Sequence, residues 1–308
     1  MIHPVLMAGG VGSRFFPLST PEKPKQFLNL VSDNQSLLQM TYDRLLPLFE
    51  TKAVSLENVW VVTHKRYQDF IQKQLPNVLD ENILLEPQKR NTAPSIAWAA
   101  HEIQKKDPTG VMLVLPSDHW IQDANAFCRN VVSAVEDLET TSQNQLVTFG
   151  ICPTFASTEY GYLVSGKKQS KHLWNVSSFI EKPDQPKADL LIQNKNHFWN
   201  SGIFLWKVRA ICENFKTHAP EIFKVSQKIT PKNIETIYED MPSISIDYAI
   251  MEKSKTVSMG KAQFDWSDLG SWEVLSKIKK DDFKSWLQKQ PQLQGLDISK
   301  FPKIQNLI

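Results

Sequence analysis

Residues 2–14, IHPVLMAGGVGSR, decide the fold of this chain. The apolar run at 2–7 predicts a buried β-strand. The strand leads directly into a glycine-rich segment, where positive φ and a close approach of backbone N–H groups to a ligand are both allowed. Successive N–H groups that point inward form an anion-binding nest. The stretch therefore predicts a strand that ends in an anion-binding loop.

Short apolar runs alternate with helical patterns through the first half of the chain. Further strands are predicted at 59–63, 82–85, 111–115 and 145–150, with helices between strands at 36–48, 66–75, 92–105 and 124–139. This alternation is typical of βαβ units, which build a parallel sheet covered on both faces. We predict an α/β fold with a Rossmann-like mixed, mostly parallel sheet flanked by helices. The run VMLVLPSDH predicts a buried strand that delivers polar groups to the ligand-binding edge.

The pattern changes after residue 150. Runs at 160–165, 174–181 and 198–206 predict longer, mixed strands and a second ligand-binding lobe on the same sheet. From about residue 273 the chain is rich in Lys and Gln, which indicates a helix and then a short irregular tail. We predict a catalytic domain over 1–273 and a short C-terminal appendage over 274–308.

The composition excludes several classes of protein. The chain has 308 residues, 41% hydrophobic and 22% charged, as expected of a soluble globular protein. A net charge of +2 gives no reason to expect binding to nucleic acid or an anionic membrane. The three cysteines form no CxxC, which favours a reducing compartment. The N-terminal apolar run is too short for a signal peptide, and no apolar run reaches the length of a membrane span. We therefore predict a cytoplasmic protein.

Positive charge is concentrated around the glycine loop. Arg14 offers a planar fork for phosphate oxygens, and Lys23 and Lys25 add mobile charges. This combination favours a polyphosphate ligand. The loop has neither the GxxxxGK[ST] of a Walker A motif nor the GxGxxG of a dinucleotide fingerprint. A dinucleotide-dependent oxidoreductase is therefore disfavoured.

Eight segments resemble one family in its own order. The first segment, MAGGVGSRFFPLS…KPKQFL at 7–28, resembles the signature of sugar-1-phosphate nucleotidyltransferases, and Gln26-Phe27 narrows the resemblance to the mannose-1-phosphate guanylyltransferase branch. The other segments are EPQKRNTAPSIAWAA at 86–100, LPSDHW at 115–120, EYGYL at 159–163, FIEKP at 179–183, WNSGIFLW at 199–206, SIDYAIMEKS at 245–254 and FDWSDLGSW at 264–272.

The resemblance implies that GMP is transferred from GTP to mannose 1-phosphate, with GDP-mannose and pyrophosphate as products. The nucleophile is already an anion, so catalysis is a matter of positioning and charge stabilisation. By resemblance, Asp118 and Asp268 hold Mg²⁺ or another divalent cation, which usually takes one or two carboxylates plus phosphate oxygens. Arg14 and Lys25 are the catalytic cations of the phosphate region.

The nucleotide-binding candidates surround the same loop. Its backbone is expected to hold the triphosphate of GTP, and Asn91 and Thr92 are expected to start a helix that lines the nucleoside pocket, with base selection near 86–93. The full set of nucleotide-binding candidates is Ala8, Gly9, Gly10, Gly12, Asn91, Thr92 and Ser117.

The sugar-phosphate candidates come from the second half of the chain. Resemblance assigns Glu181 to sugar hydroxyls and Lys182 to the sugar phosphate, and Lys182 also counts as catalytic. Asn200 offers both a donor and an acceptor to a hydroxyl. Gly161 lets the backbone pass close to the sugar.

Other interpretations remain open. The same chemistry with another pair would give GDP-heptose or a dTDP- or UDP-sugar. A catalytically silent homologue would be expected to have lost one of the catalytic cations or carboxylates, and all are present. Residues 274–308 are too few for the isomerase domain that some family members carry, so we expect no phosphomannose isomerase activity. The short tail suggests a homodimer by resemblance, and Trp199 and Trp206 are expected in the core.

Overall fold

The protein is described from a computed structural model over residues 1–10, 12–294, 301–305 and 307, with Ser13 described by its backbone alone. These residues form one nine-stranded sheet. The strands are β1 Ile2–Met7, β2 Trp60–His64, β3 Ile83–Glu86, β4 Val111–Pro116, β5 Leu146–Ile151, β6 Tyr162–Lys168, β7 Leu173–Ile180, β8 His197–Lys207 and β9 Val257–Lys261.

Helices cover the sheet. They are α1 Leu37–Asp43, α2 Leu46–Glu50, α3 Gln68–Gln74, α4 Thr92–Lys106, α5 Ala124–Thr140, α6 Gln185–Leu191, α7 Val208–His218, α8 Pro220–Ser226, α9 Ile234–Ile237, α10 Trp272–Lys279, α11 Phe283–Gln288 and α12 Pro302–Gln305. Asp247–Met251 forms a π-helical turn. The single helix predicted over 36–48 is wrong, because Pro47 in the first turn of α2 has no N–H to continue the ladder of α1.

The sheet has the order β3-β2-β1-β4-β8-β5-β9-β7-β6. The pairs β3–β2, β2–β1, β1–β4 and β5–β9 are parallel, whereas β8 runs antiparallel to β4, β5 and β6. The predicted α/β class, a mixed sheet flanked by helices, is confirmed. The carboxyl ends of β1 and β4 lie side by side, because Met7 is in register with Pro116.

The core lies on both faces of this sheet. Side chains of β1 alternate between two clusters: Leu6 packs with residues of α1, α3 and α5, and Val5 packs with residues of α4, α7 and α8. The expected core positions of Trp199 and Trp206 are confirmed, since both side chains are buried. The site residues below are therefore attached to a rigid support.

The C-terminal segment packs on the chain that follows the glycine loop. Phe283, Trp286 and Ile304 share a buried cluster with Phe15 and Leu28. The division at residue 273 stays a prediction, and part of the predicted irregular tail, at 295–300, 306 and 308, lies outside the described residues. None of the helices in the described ranges is long and apolar enough to cross a membrane.

Candidate active site

The Gln26 side chain holds the backbone of the glycine loop in place. The Gln26 amide donates to the carbonyl oxygens of Ala8 at 2.9 Å and Gly10 at 2.8 Å. These carbonyls are thereby occupied and present less negative charge to a ligand. Ala8 and Ser117 are both buried, and the Ser117 hydroxyl donates to the Met7 carbonyl at 2.7 Å. Of the nucleotide-binding candidates, these two support the loop from beneath.

Gly12 is in contact with Lys25. Its φ is +52°, a conformation that favours glycine, and a Cβ there would lie 2.5 Å from Cβ of Lys25 and 2.7 Å from its backbone nitrogen. A Cβ at Gly10 would meet nothing within 4 Å. The close approach of Gly12 therefore brings the loop directly against the lysine.

Lys25 joins two carboxylate residues from distant segments. The residue is 4% exposed, and its ammonium donates to Asp118 Oδ2 at 3.1 Å and to the backbone carbonyl of Asp268 at 2.5 Å. Burial opposes ionisation of Asp118, but the charge of Lys25 holds the pKa of that carboxyl below its ordinary value. Asp118 is therefore ionised at neutral pH.

Arg14 also contacts Asp268, through its carboxylate. The guanidinium lies 2.9 Å from Glu159 Oε2 and 3.5 Å from Asp268 Oδ2. The Tyr160 hydroxyl donates to Asp268 Oδ1 at 2.7 Å. Burial, followed by the Asp268 charge, raises the pKa of Tyr160. The loop between β5 and β6 thus brings two side chains to the candidate catalytic group, which the sequence alone did not predict.

These cations and carboxylates line one pocket of about 270 Å³, formed by Gly12, Arg14, Lys25, Asp118, His119 and Asp268. Burial lowers the pKa of His119 to about 4, so the ring is neutral at pH 7. The Trp266 indole donates to His119 Nδ1 at 3.2 Å. A neutral ring with a fixed orientation is better suited to shaping the pocket than to accepting a proton.

The two carboxylates fit a hard divalent cation. Asp118 and Asp268 face the same pocket, and Mg²⁺ typically takes one or two carboxylates and completes its shell with phosphate oxygens and water. Across the described ranges there is no group of three or more His, Cys, Asp or Glu side chains arranged to hold a metal. The fit is therefore to a cation shared with a phosphate ligand.

A second, larger pocket of about 520 Å³ opens beside the first. Its lining includes Gly9, Gly10, Glu86, Asn91, Thr92, Asp118 and Asp247. The predicted helix start is confirmed, since the Asn91 side chain accepts from the Thr92 N–H at 2.9 Å. The Thr92 hydroxyl accepts from the Ile246 N–H at 2.9 Å. Both candidates therefore fix the wall of this pocket.

Glu86 lies in the segment 86–93 where base selection was predicted, but it was not singled out as a site residue. It ends β3 at the pocket and accepts hydrogen bonds from Ser95 and Tyr238. Burial raises the pKa of Glu86 to about 7, against the opposing effect of these two donors. An acidic residue at the end of an apolar strand, ILLE, is the signal that indicates it.

The sugar-side candidates meet at the other end of β8. Lys182 Nζ lies 2.9 Å from Glu181 Oε1. A Cβ at Gly161 would lie 2.5 Å from Glu181 Oε2 and 3.5 Å from the Asn200 Cβ, and the Asn200 N–H donates to the Gly161 carbonyl at 2.8 Å. The structure brings all four candidates together.

Asp247 joins this group although the sequence analysis gave it no role. It accepts a hydrogen bond from Asn200 Nδ2 at 3.1 Å. Burial, followed by the charge of Glu181, raises the pKa of Asp247 to about 7. The residue lies in SIDYAIMEKS, a segment that carried the family resemblance, so a functional role for its carboxylate was detectable in principle.

A glycine loop at the carboxyl edge of this sheet, above paired carboxylates and two cations, defines an α/β protein that binds phosphorylated ligands. Comparison with known proteins makes the class specific. A family model described as nucleotidyl transferase matches residues 3–285. The chain belongs to the nucleotidyl transferase family, and the family recognised from its motifs is confirmed.

Individual relatives agree with this assignment. An Escherichia coli protein named mannose-1-phosphate guanylyltransferase is 38% identical over 297 residues, which cover 91% of this chain and 62% of the relative. A solved structure from Thermus thermophilus, described as a mannose-1-phosphate geranyltransferase, has a TM-score of 0.80 at 29% identity over 91% of this chain and 80% of its own.

A further solved structure, from Helicobacter pylori and described as a mannose-6-phosphate isomerase, has a TM-score of 0.69 at 26% identity. The alignment covers 86% of this chain and 99% of that one. The chain spans about three fifths of the length of the curated relatives it matches, 62% of the Escherichia coli protein.

Proposed function

We propose that this protein is a mannose-1-phosphate guanylyltransferase, which transfers GMP from GTP to mannose 1-phosphate and releases pyrophosphate. One observation carries the proposal. Asp118 and Asp268, from distant segments, line one pocket with Arg14, Lys25 and Gly12 of the glycine loop. The names of the relatives support the choice of GTP and mannose 1-phosphate within this chemistry.

The triphosphate of GTP binds at the glycine loop and the nucleoside in the larger pocket. A sugar-phosphate oxygen attacks the α-phosphorus in line, and the bond from that phosphorus to the β-phosphate oxygen breaks, so pyrophosphate leaves with both electrons of that bond. Lys25 and Arg14 stabilise the negative charge that spreads over the phosphates in the transition state. No proton transfer to a side chain is needed.

Asp118 and Asp268 are the residues that would hold a divalent cation, such as Mg²⁺. The cation would supply positive charge that neutralises the phosphates. Lys25 keeps Asp118 ionised and orients it, because the ammonium bridges this carboxylate and the Asp268 carbonyl. Tyr160 orients the Asp268 carboxylate in the same way.

The sugar phosphate binds at the group formed by Gly161, Glu181, Lys182 and Asn200. Lys182 contacts the sugar phosphate, and Glu181, whose side chain is largely buried, receives hydroxyl donors. The catalytic region over 1–273, its short appendage and a homodimer complete the proposal. A cytoplasmic location also belongs to the proposal, and GTP and mannose 1-phosphate are the expected partners.

A pyrophosphate-release assay tests this function. The protein is given mannose 1-phosphate with GTP, ATP, UTP or dTTP, with and without magnesium, alongside Asp118→Asn. We expect magnesium-dependent release with GTP and a loss of at least about 100-fold in kcat/KM for the variant. Asp69→Asn, on the exposed surface of α3, is the matched control and keeps full activity.

The outcomes separate the alternatives. Release with another nucleotide or sugar 1-phosphate moves the substrate assignment to the related nucleotide-sugar products and keeps the mechanism. No release with any pair supports a silent homologue. Incubation with mannose 6-phosphate, followed by an assay for the ketose, tests this chain for the isomerase activity in the description of the Helicobacter pylori structure.

A further inference from the structure

Asp247 is placed where the larger pocket of the candidate active site meets the sugar-side group. It starts the π-helical turn and lines the larger pocket together with Asp118 and Gly202. Its Oδ1 accepts from Asn200, which belongs to the sugar side. No other side chain in the described part of the chain donates to this carboxylate. One carboxylate oxygen is therefore available to a ligand at the junction.

Asn200 is oriented by its own contacts and so orients Asp247. Its Oδ1 accepts from the Thr148 hydroxyl at 2.8 Å and lies 3.4 Å from the Gly202 nitrogen. The amide oxygen is thereby occupied, which fixes Nδ2 toward Asp247. The Asn200 amide thus orients the Asp247 carboxylate. Asn200 is therefore a positioning residue more than a direct binding partner of a sugar hydroxyl.

The same carboxylate lies within electrostatic range of the Glu181–Lys182 pair. Asp247 and Glu181 both act to raise the pKa of Lys182, and Lys182 acts to lower that of Asp247. In the proposed function Lys182 contacts the phosphate on C1 of the sugar. A group beside that phosphate faces the neighbours of C1, which are the ring oxygen and C2. The ring oxygen carries no proton, whereas the hydroxyl on C2 is a donor that a carboxylate accepts.

We propose that Asp247 recognises the hydroxyl on C2 of the sugar 1-phosphate and thereby selects the configuration at that carbon, with Asn200 as its positioning residue. The inference rests on the proposed function and names the residue that separates mannose 1-phosphate from glucose 1-phosphate, which differ only at C2. A buried hydrogen-bonding group discriminates strongly, because a substrate that lacks its partner leaves that group unpaired.

Asp247→Asn tests the contact with little change in shape. Asn200 donates to one side of residue 247, so an asparagine must keep its oxygen there and turn its NH₂ toward the sugar. Asp247→Ala removes the group altogether. Each is assayed for pyrophosphate release with mannose 1-phosphate, its 2-deoxy analogue and glucose 1-phosphate, beside the wild type and the exposed Asp69→Asn control.

We expect kcat/KM for mannose 1-phosphate to fall about 10- to 100-fold in Asp247→Ala and about 10-fold in Asp247→Asn. The value for the 2-deoxy analogue should change less than about threefold, so the preference for a 2-hydroxyl is lost. The ratio of kcat/KM for mannose 1-phosphate to that for glucose 1-phosphate should fall by a similar factor. A cooperative urea-unfolding transition in each variant excludes misfolding as the cause.

The inference would be overturned if the variants lost kcat/KM equally on mannose 1-phosphate and on the 2-deoxy analogue. It would also be overturned if they lost it on neither. In both cases, activity of the wild type on mannose 1-phosphate would leave the proposed function intact. If the wild type turns over a different sugar 1-phosphate, the proposed function fails and the comparison is made with that sugar and its 2-deoxy form. Calorimetric titration of the wild type with the sugar 1-phosphate and with its 2-deoxy form detects the contact without turnover. Equal Kd values for the two forms would also overturn the inference.

Discussion

Lys25 and Asp118 form an ion pair, 3.1 Å from Nζ to Oδ2, across 93 positions of the sequence. The lysine is almost fully buried, whereas the aspartate side chain is 38% exposed toward the pocket. Asp118 is therefore the more exposed member of the pair, and Lys25 reaches the same pocket from a largely buried position. A cation bound at Asp118 would lie next to the ammonium, and the phosphates of a nucleotide would compensate for the positive charge that the two carry together.

Lys25→Met should abolish most of the activity and leave the fold in place. Methionine fills a similar volume beside Phe15, but it removes the donor to Asp118 and to the Asp268 carbonyl. We expect kcat/KM for pyrophosphate release to fall about 100- to 1,000-fold. Lys73→Met, on the exposed face of α3, is the control with unchanged activity. Activity within tenfold of the wild type would contradict the role of Lys25.

Gly12→Ala should destabilise the protein, whereas Gly10→Ala should not. An alanine Cβ at Gly12 would overlap Lys25 and would hold a positive φ, while one at Gly10 meets nothing within 4 Å. We expect the free energy of unfolding to fall by about 1–3 kcal/mol for Gly12→Ala and to stay within about 0.5 kcal/mol for Gly10→Ala. Urea titrations of both variants measure the difference. Equal stabilities would show that the loop does not hold the described contact.

Glu86 should make the stability depend on pH. Its pKa is about 7 in the folded protein, against an ordinary value of 4.5. Between these values the folded chain keeps a proton that the unfolded chain has lost, so this contribution to stability falls as the pH rises and is constant above about pH 7. Glutamine has no proton to lose. Glu86→Gln should therefore be more stable than the wild type at pH 8, by up to about 3 kcal/mol.

Urea unfolding of the wild type and Glu86→Gln at several pH values between about 5 and 8 measures this effect. Asp247 has a pKa raised in the same direction, but it is present in both proteins and cancels in the difference. Glu57→Gln, an exposed position, should follow the wild-type curve. Parallel curves for Glu86→Gln and the wild type would show that Glu86 is ionised throughout.

Glu159→Gln should strengthen the binding of GTP. Glu159 is an exposed carboxylate that pairs with Arg14 at 2.9 Å, so it competes with phosphate oxygens for the guanidinium. We expect the Kd for GTP to fall about two- to fivefold at low ionic strength and the gain to shrink at high salt. Stability should change by less than about 0.5 kcal/mol, since exposed ion pairs contribute little. Calorimetric titrations with GTP at two salt concentrations measure the Kd, and urea unfolding measures the stability, with Glu57→Gln as the control in each. An unchanged Kd would contradict the competition.

The first half of the fold was predictable because its strands are buried on both faces. Uninterrupted apolar runs such as VMLVL give the strands of a parallel sheet a strong signal, and β1 agrees with its predicted bounds of 2–7. β9 was not predicted, because VSMGK has few apolar residues and pairs only through contacts distant in sequence. The break between α1 and α2 was also missed, although Pro47 marked it.

The candidate site was predictable where a motif carries the residue, and not where a tertiary contact does. Asp118 follows a strand, and Arg14 follows a glycine loop, so local sequence indicates both. Glu159 and Asp247 acquire their partners, Arg14 and Asn200, only when segments distant in sequence meet. Burial and neighbouring charges set their properties, and neither is visible in a one-dimensional pattern.

β8 has a consequence for the spacing of the two substrates. One end of this strand pairs with β4 and lines the larger pocket through Phe204, and the other end pairs with β6 and carries Asn200. β8 is a continuous strand with hydrogen bonds on both sides, so it sets the distance between the larger pocket and the sugar-side group. In the proposed function, the spacing of the nucleotide and the sugar phosphate is therefore a property of the folded sheet.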